Sequence, residues 1–351
     1  MEIFMAHSKK VENITESLRK RVLKLLPGEP LDPIRDLMKL YDVSQVTITK
    51  AMQQLKEEKL LESRPGHGTF RSSGNTRHPK IVMLQSNFIS SFSQNVSREM
   101  EKHFTAKGYE FHLSAYDKNN VVIDKKLLNG TIDALIINMH QDISPSLMIQ
   151  INSLKIPVLL LDIMPQTVCI DAVCTDNELG GAIVANYFLS KGFTRCGMLQ
   201  SMPHFHNCEA RQRRFMRQLK LSGHEGIFID CQTQSGENST VKAYETFSAY
   251  LKENGCKIEA LFCDSDLGSL GVLKACQENN IRIPEDMSII GFDNTPECDF
   301  FHPSLSSVDQ NITQWAIEAE KIISSRLAGN KQSVFRSYVT PELILRDSTV
   351  K

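Results

Sequence analysis

The sequence lacks long apolar runs. No stretch reaches the roughly 18 uninterrupted apolar residues of a membrane-spanning helix, and the N-terminus lacks the apolar segment of a secretory signal peptide. We therefore expect a cytoplasmic protein without membrane contact. The nine cysteines are scattered and odd in number, and several, such as Cys196 and Cys263, fall within apolar strand patterns. This distribution favours free thiols in a reducing compartment over disulfides.

Motifs for catalysis and metal binding are also missing. The chain has no glycine-rich phosphate loop, no Gly-x-Ser-x-Gly element and no carboxylate pair placed for acid–base work, so we expect no enzymatic activity and no cofactor. No cysteine–histidine set has zinc-ligand spacing. Asp264 and Asp266 resemble part of a metal site, but cleft lining or helix capping is the favoured interpretation. His204 and His206 are interpreted as members of an ordinary loop.

Charge is distributed unevenly along the 351 residues, a length that predicts a small domain joined to a larger one. Residues 1–79 carry 14 lysines and arginines against 10 acidic side chains, whereas the remainder is acidic. A basic segment on an acidic body suits nucleic-acid contact by that segment. We place the small domain at residues 1–71, a linker at 72–79 and the large domain at 80–351.

The first seventy residues carry helix and hairpin signals in succession. Apolar residues recur at helical spacing over residues 11–25, which predicts a first helix. Two further helices are predicted over residues 33–41 and 44–58, with a tight turn between them. Such a pair is typical of a helix-turn-helix unit. Residues 60–71 then fit a small hairpin whose tip contains two glycines.

Three separated motifs in this region closely resemble the GntR-type winged helix. They are Leu31-Asp-Pro-Ile-Arg35-Asp-Leu37, Val43-Ser-Gln-Val-Thr47-Ile-Thr-Lys-Ala51 and Leu60-Leu-Glu-Ser-Arg64-Pro-Gly66-His-Gly68-Thr-Phe70. The resemblance covers about residues 8–71 and implies a domain that binds double-stranded operator DNA. The DNA contacts it implies are Arg35, Ser44, Gln45, Thr47, Thr49, Lys50, Arg64, Gly66, His67 and Gly68.

Physical chemistry supports these contacts. The N-terminus of the third helix offers free backbone N–H groups and the hydroxyls of Ser44 and Thr47, which together can hold a phosphate. The hairpin tip is narrow enough to follow a minor groove, where Arg64 or His67 can reach in. The family usually has arginine where this chain has Gln45. Because glutamine pairs with adenine where arginine favours guanine, we expect an operator that departs from the usual family site.

From residue 80 onward, short apolar runs alternate with helical stretches, which predicts parallel sheets with helices on both faces. A repeat of the pattern midway indicates two doubly wound lobes. The predicted strands are Ile81–Gln85, Tyr109–Ala115, Asp133–Asn138, Pro157–Leu161, Val168–Cys174, Arg195–Gln200, Gly226–Asp230, Ala260–Cys263 and Ser288–Phe292. Ligands in such folds bind beyond the carboxyl ends of the strands, which here means the cleft between the lobes.

These residues resemble the LacI-type sensor domain, which has the periplasmic sugar-binding-protein fold. The likeness covers about residues 80–351 and is clear in Ile283-Pro-Glu-Asp-Met-Ser-Ile-Ile-Gly291-Phe-Asp293 and in Pro341-Glu-Leu-Ile-Leu-Arg346. The fold class is therefore expected to be α/β, with a small winged helix-turn-helix domain before a two-lobed, doubly wound domain. The implied lobes are residues 80–174 with 311–328, and residues 175–308 with 330–351.

The family's ligand-contacting positions fall mainly on polar residues. They are Asn87, Ser90, Phe92, Asp162, Arg211, Ser265, Asp266, Asp293 and Gln310. Each sugar hydroxyl donates and accepts hydrogen bonds, so a selective cleft needs carboxylates, amides and a forked arginine. An aromatic face such as that of Phe92 can cover the C–H side of a sugar ring. Ser265 is a departure, because the family usually has asparagine at its position.

Together the two resemblances imply a transcription repressor controlled by a small-molecule effector, a sugar, bound between the lobes of a homodimer. The linker shows no candidate for the hinge helix of LacI-type repressors, so control would act through the spacing of two heads on a near-palindromic operator. This domain combination resembles bacterial arabinose repressors, which makes L-arabinose the first candidate effector. The alternatives are a sugar-binding protein without a regulatory role and a regulator that responds to a non-sugar ligand such as a nucleoside.

Overall fold

The computed structural model divides the chain into two units, Met1–His78 and Pro79–Lys351, called here the head and the body. Each is described by itself. The structure describes residues 2–26, 28–65, 67–72, 78–87, 90–116, 123, 132–139, 143–165, 168–203, 205–234, 236–330 and 333–349. Most of the predicted linker therefore lies outside the described residues. None of the described helices is long and apolar enough to cross a membrane.

The head is a three-helix unit followed by a hairpin. Its elements are α1 Glu2–Val22, α2 Ile34–Tyr41, α3 Gln45–Glu57, β1 Leu61–Arg64 and β2 Gly68–Arg71. Asp42 ends α2 in the left-handed region at φ 48°, and the Ser44 hydroxyl accepts a hydrogen bond from the backbone N–H of Thr47 to cap α3. Fully buried Leu18, Leu37 and Ile48 join the three helices. The predicted winged helix-turn-helix is confirmed, with α1 beginning earlier than expected.

The first lobe of the body is a six-stranded parallel sheet in the order β13-β7-β6-β5-β3-β4. Its strands are β3 Lys80–Ser86, β4 Glu110–Tyr116, β5 Ala134–Asn138, β6 Val158–Leu161, β7 Asp171–Thr175 and β13 Arg336–Val339. Its helices are α4 Ser91–Ala106, α5 Pro145–Ser153 and α10 Ile312–Leu327. The central strands are buried on both faces, as a sheet covered by helices on two sides requires.

The second lobe repeats this architecture with the order β14-β12-β11-β10-β8-β9, in which only β14 is antiparallel. Its strands are β8 Cys196–Gln200, β9 Ile227–Asp230, β10 Ala260–Cys263, β11 Ser288–Asp293, β12 Ser306–Asp309 and β14 Glu342–Ile344. Its helices are α6 Asn177–Ser190, α7 His206–Leu221, α8 Ser239–Asn254, α9 Asp266–Glu278 and a short 3-10 helix, Pro296–Asp299. Two doubly wound lobes confirm the predicted fold class.

One predicted lobe boundary is wrong. Residues 330–351 were expected in the second lobe, but β13 lies in the first sheet, where it pairs with β7, and only β14 belongs to the second. The strand is four residues long and lies at the sheet edge, with Tyr338 57% exposed, so its sequence has no apolar run to mark it. The chain consequently crosses between the lobes three times.

The three crossings are held together by hydrogen bonds. The Thr175 hydroxyl donates to the carbonyl oxygen of Gln310 at 3.0 Å and accepts from the indole N–H of Trp315 at 3.0 Å. The backbone N–H of Asp176 donates to the carbonyl oxygen of Val339 at 2.9 Å. We call this cluster the hinge, because any change in the angle between the lobes must pass through it.

Candidate functional site

A cavity of about 180 Å³ lies between the two lobes, at the carboxyl ends of their strands. Eight of the nine predicted effector residues line it: Ser90, Phe92, Asp162, Arg211, Ser265, Asp266, Asp293 and Gln310. Asn87 does not. It is exposed just beyond β3, and its backbone N–H donates to the carbonyl oxygen of Tyr116, so its contact with the effector stays a prediction.

Among the described residues that line the cavity, Arg211 is the only arginine, and it is 5% exposed. Its Nε donates to Asn177 Oδ1 at 2.7 Å, and its Nη1 donates to the carbonyl oxygen of Asp264 at 2.7 Å. The guanidinium lies over the ring of Phe292, 3.5 Å from its centroid. Among the described residues, Nη2 has no hydrogen-bond partner. The fork is thus fixed in place with one donor nitrogen unengaged.

Asp293 and Gln310 form a second polar pair in the cavity. Gln310 Nε2 donates to Asp293 Oδ1 at 2.7 Å, whereas Gln310 Oε1 is buried without a hydrogen-bond partner among the described residues. Burial and the neighbouring carboxylate of Asp266 raise the pKa of Asp293 well above its ordinary value. A buried acceptor without a donor is costly to maintain, so this oxygen is placed to receive a ligand hydroxyl.

Asp266 lies at the start of α9 and orders the loop that follows β11. Its carboxylate accepts hydrogen bonds from the Thr295 backbone N–H at 2.8 Å and from the Ser307 hydroxyl at 2.6 Å. Burial raises its pKa to about 6 despite these bonds. The Asp266 carboxylate has room only because residue 291 is a glycine: a Cβ on Gly291 would lie 2.4 Å from Asp266 Oδ1. Asp266 therefore shapes the cavity more than it offers free oxygens to a ligand.

Side-chain contacts join the lobes across the cleft. Asn207 Nδ2, from the second lobe, donates to Asp162 Oδ1 at 2.9 Å and to the Asp162 carbonyl oxygen at 2.7 Å. At the cavity mouth, the Ser91 hydroxyl donates to Glu297 Oε1 at 2.5 Å. Asp162 holds a φ of 62°, which turns the chain sharply after β6 and aims the residue at the opposite lobe. The lobes are thus closed on one another.

The remaining predicted cavity residues combine structural and lining roles. Ser90 and Ser265 are the N-caps of α4 and α9, and their hydroxyls accept from backbone N–H groups of those helices. Phe92 packs edge-on against Trp315, with ring centroids 6.0 Å apart. A ligand that touches Phe92 would therefore disturb the environment of the chain's single tryptophan.

Sequence reasoning missed Asn177 and Asn207, which hold the site together. Asn207 was detectable in principle, because it lies four residues before Arg211 and thus on the same face of α7. Asn177 gave no such signal, since it meets Arg211 only through the packing of separate elements. Asp264 was interpreted as cleft lining or a helix cap, but it is fully buried and holds Arg211 through its carbonyl oxygen. Gly181 permits that packing, because a Cβ there would lie 2.3 Å from the Arg211 carbonyl oxygen.

The head presents a separate candidate DNA-binding surface. The described residues with exposed side chains or backbone on it are Arg35, Ser44, Gln45, Thr49, Lys50, Arg64, His67 and Gly68. Gly68 adopts φ 107° at the hairpin turn. Arg64 pairs with Glu62 at 2.7 Å and lies over the Phe70 ring. Gly66 lies outside the described residues.

Two residues of α3 differ from expectation. Thr47 is 2% exposed, and its hydroxyl lies 3.0 Å from Ser44 Oγ, so this side chain stabilises the start of α3. It is not available to a phosphate, contrary to the prediction. Val46, which the sequence analysis did not single out, is 58% exposed beside Gln45. An exposed valine is an unfavourable choice for helix stability, because β-branched side chains lose rotamer freedom there.

The described residues contain no group of three or more histidine, cysteine, aspartate or glutamate side chains that could hold a metal ion. His204, one of the loop histidines weighed in the sequence, lies outside the described residues. All nine cysteines are free thiols in the structure.

Comparison with known families gives two matches. Residues 10–70 match the gntR family of bacterial regulatory proteins, and residues 185–349 match the periplasmic binding protein-like domain. The HTH-type transcriptional repressor PurR of Vibrio cholerae serotype O1 (strain M66-2) is 26% identical over 340 residues, covering 91% of this chain and 98% of that protein. PurR of Pasteurella multocida (strain Pm70) is 23% identical over 333 residues, covering 90% and 98%.

Solved structures show the same body fold. A LacI family transcriptional regulator from Enterococcus faecium with bound ribose has a TM-score of 0.66 at 21% identity, covering 77% of this chain and 98% of that one. A periplasmic binding protein/LacI transcriptional regulator from Alkaliphilus metalliredigens QYMF, complexed with D-xylulofuranose, has a TM-score of 0.64 at 21% identity, covering 78% and 99%. These likenesses establish the fold.

Proposed function

We propose that a sugar bound in the cleft controls the affinity of this protein for operator DNA. The chain is a DNA-binding transcriptional repressor that joins a gntR-type head to a LacI-type, periplasmic-binding-protein-like body. The observation that carries the proposal is the set of unengaged polar atoms in the cavity. Nη2 of Arg211 is a donor, Oε1 of Gln310 is an acceptor, and Asp293 Oδ2 has no hydrogen-bond partner among the described residues. Sugar hydroxyls both donate and accept, so one ring can engage all three.

The charge of the cleft favours a neutral ligand. Apart from Asp293, whose raised pKa favours the neutral form, one guanidinium shares the described lining with four carboxyl groups: Asp162, Glu237, Asp266 and Glu297. A phosphorylated sugar would add negative charge to this set at a cost in free energy. Phe92 supplies an aromatic surface for the C–H face of a ring. A neutral pentose or deoxyhexose fits these requirements, and L-arabinose is the first candidate.

The bound pentoses of two structural relatives support this ligand class, although they belong to those proteins. A neutral nucleoside is the second candidate, because its ribose offers the same hydroxyl chemistry. Transport binding of the sugar without regulation is disfavoured by the gntR-type head.

In the head, we assign α3 to the major groove and the hairpin to the adjacent minor groove. Exposed Gln45 would read adenine, and exposed Val46 would contact a thymine methyl group. Lys50 and Arg35 would hold phosphates, and His67 would reach into the minor groove from the hairpin tip. A homodimer in the cytoplasm would place two such heads on a near-palindromic operator.

Coupling between the sites would act through the hinge. Gln310 belongs to a lobe crossing and also binds Asp293 in the cavity, so a ligand held by this pair acts directly on the connection between the lobes. A change of lobe angle in each subunit would alter the spacing of the heads and weaken DNA binding. A coupling free energy of about 1–3 kcal/mol corresponds to a 5- to 150-fold change in DNA affinity.

The proposal is tested by a thermal-shift screen of neutral sugars, sugar phosphates and nucleosides, followed by DNA binding with and without the hit. The DNA probe is first selected from a random pool with the full-length protein. We expect stabilisation by a neutral pentose and weaker DNA binding in its presence. Stabilisation only by anionic ligands, or a hit that leaves DNA affinity unchanged, contradicts the proposal.

A further inference from the structure

The cavity has an apolar wall that the recognition of sugar hydroxyls does not require. Met202, Phe205, Leu267 and Leu270 line it from the second lobe. Within the described residues, Met202, Leu267 and Leu270 belong to none of the hydrophobic core clusters of the body. Leu270 is 39% exposed. Because these three side chains do not contribute to the core, folding alone gives no reason for apolar residues at their positions.

The wall is held in place by a buried polar network. Asp264 accepts hydrogen bonds from the Ser201 hydroxyl at 2.6 Å and from the Met202 backbone N–H at 3.0 Å. The Ser201 hydroxyl also lies 3.0 Å from that of Ser265, the N-cap of α9. Gly268 allows this approach, since a Cβ there would lie 2.2 Å from Ser201 Oγ. The segment after β8 and the start of α9 thus form one preorganised surface.

The apolar wall adjoins the polar groups of the cavity along both helices. On α9, Leu267 directly follows Asp266, and Leu270 lies one turn further on. On α7, Phe205 is the N-cap residue and Arg211 lies in the second turn. Each helix, with its N-cap residue, therefore contributes at least one polar and at least one apolar residue to the same cavity. A ligand that matches both surfaces must have a hydroxylated part and an apolar part.

We propose that the effector is a sugar bearing an apolar substituent, as in a glycoside or a nucleoside, with its ring at Arg211 and its substituent against Met202, Leu267 and Leu270. This inference rests on the proposed sugar function and narrows its ligand class. A free aldose carries hydroxyl groups around its whole ring, so it would leave the wall in contact with hydroxyls or water. An apolar substituent removes that surface from water, which is favourable.

The test uses sugars whose substituent grows one methylene at a time. Methyl, ethyl, propyl and butyl glycosides of L-arabinose, D-ribose and D-xylose, the free sugars, and adenosine are titrated into the full-length protein by calorimetry. Emission of Trp315 provides a second readout. We expect about fourfold tighter binding per added methylene, the value for burial of one such group. Adenosine binding far more tightly than free ribose would also support the inference and would identify the substituent as a nucleobase.

Leu270→Ser should flatten the dependence on chain length, so that each added methylene strengthens binding by clearly less than fourfold. Leu221→Ser is the matched control, because Leu221 is 68% exposed and lies outside the cavity lining. A free sugar that binds as tightly as its longest glycoside overturns the inference and leaves the proposed function standing. Binding by none of the sugars, glycosides or adenosine overturns both.

Discussion

The DNA-facing surface of the head and the cleft of the body are built in opposite ways. The head displays side chains from a short stretch of sequence, and most of them are exposed. The cleft gathers buried groups from both lobes, and each holds another in place, as Asn177 and Asp264 hold Arg211. Head residues should therefore act almost independently, whereas cleft residues should act as a unit.

The largest effect is expected from Arg211→Ala. Removing the guanidinium takes away the cavity's unengaged donor and leaves Asn177 Oδ1 and the Asp264 carbonyl oxygen without their donor. Loss of a buried, hydrogen-bonded charge costs about 2–5 kcal/mol, so calorimetry should show effector affinity reduced at least about 30-fold. Effector-free DNA affinity should be unchanged.

Arg213→Ala serves as the control for this variant. Arg213 is on the same helix, its side chain is 60% exposed, and its ion pair with Glu178 lies at the surface. It should retain full effector affinity. Comparable losses in the two variants would contradict the special position of Arg211 and would place the effector elsewhere.

The next effect is a pH dependence of body stability caused by Asp266. Burial raises the pKa of this carboxyl from 3.8 to about 6, so the folded protein binds the proton more tightly than the unfolded chain. The contribution of this group to stability is therefore greatest at low pH and is lost as pH rises from about 4 to 6.

Asp266→Asn removes that titration. In thermal unfolding of the full chain, the melting temperature of wild type should fall relative to the variant as pH rises from 4 to 7. A difference between the two proteins that stays constant over this range would contradict the buried, ionisable role assigned to Asp266.

A smaller and more local effect is expected from Arg35→Ala in the head. Because Arg35 is exposed on α2 and proposed to hold a phosphate, its loss should weaken DNA binding about equally for all sequences. The slope of log affinity against log salt should decrease by about one. Lys20→Ala, an exposed lysine on α1, is the control and should change neither quantity. Loss of effector affinity in Arg35→Ala would contradict the conclusion that head residues act on DNA binding independently of the cleft.

The smallest effect is expected from the proposed contact between Val46 and a single thymine methyl group. Replacing thymine by uracil at each position of the selected operator should weaken wild-type binding about fourfold at one position per half-site. Val46→Ala should lose this sensitivity at that position alone, and its melting temperature should not fall, because the side chain is 58% exposed and alanine favours a helix more than valine does. Equal sensitivity in both proteins, measured by fluorescence anisotropy, would rule out the contact.

The same contrast explains which parts of the molecule the sequence could predict. The head elements follow from local signals, such as the Ser44 cap and the apolar spacing of residues 11–25. Strand β10 was predicted to the residue because it is a short, fully buried apolar run. Strand β13 was missed because its residues are polar and partly exposed, and it takes its place only by pairing with β7.

The candidate sites divide in the same way. Arg211 and Asp293 were found because they occupy positions of a recognisable motif, and both line the cavity. Thr47 was misassigned because its motif position gives no information on which way its hydroxyl points. Asn207 and Asn177 were missed because they act through Asp162 and Arg211, and such contacts depend on how two lobes or two helices meet.

Coupling between cleft and head is tested most directly by the affinity of the full-length protein for its selected operator, measured by fluorescence anisotropy with and without a saturating cleft ligand. We expect a 5- to 150-fold weaker affinity for wild type in the presence of ligand, and no change for Arg211→Ala at the same ligand concentration. An operator affinity that is unchanged by a ligand shown to bind wild type would contradict the coupling of cleft and head.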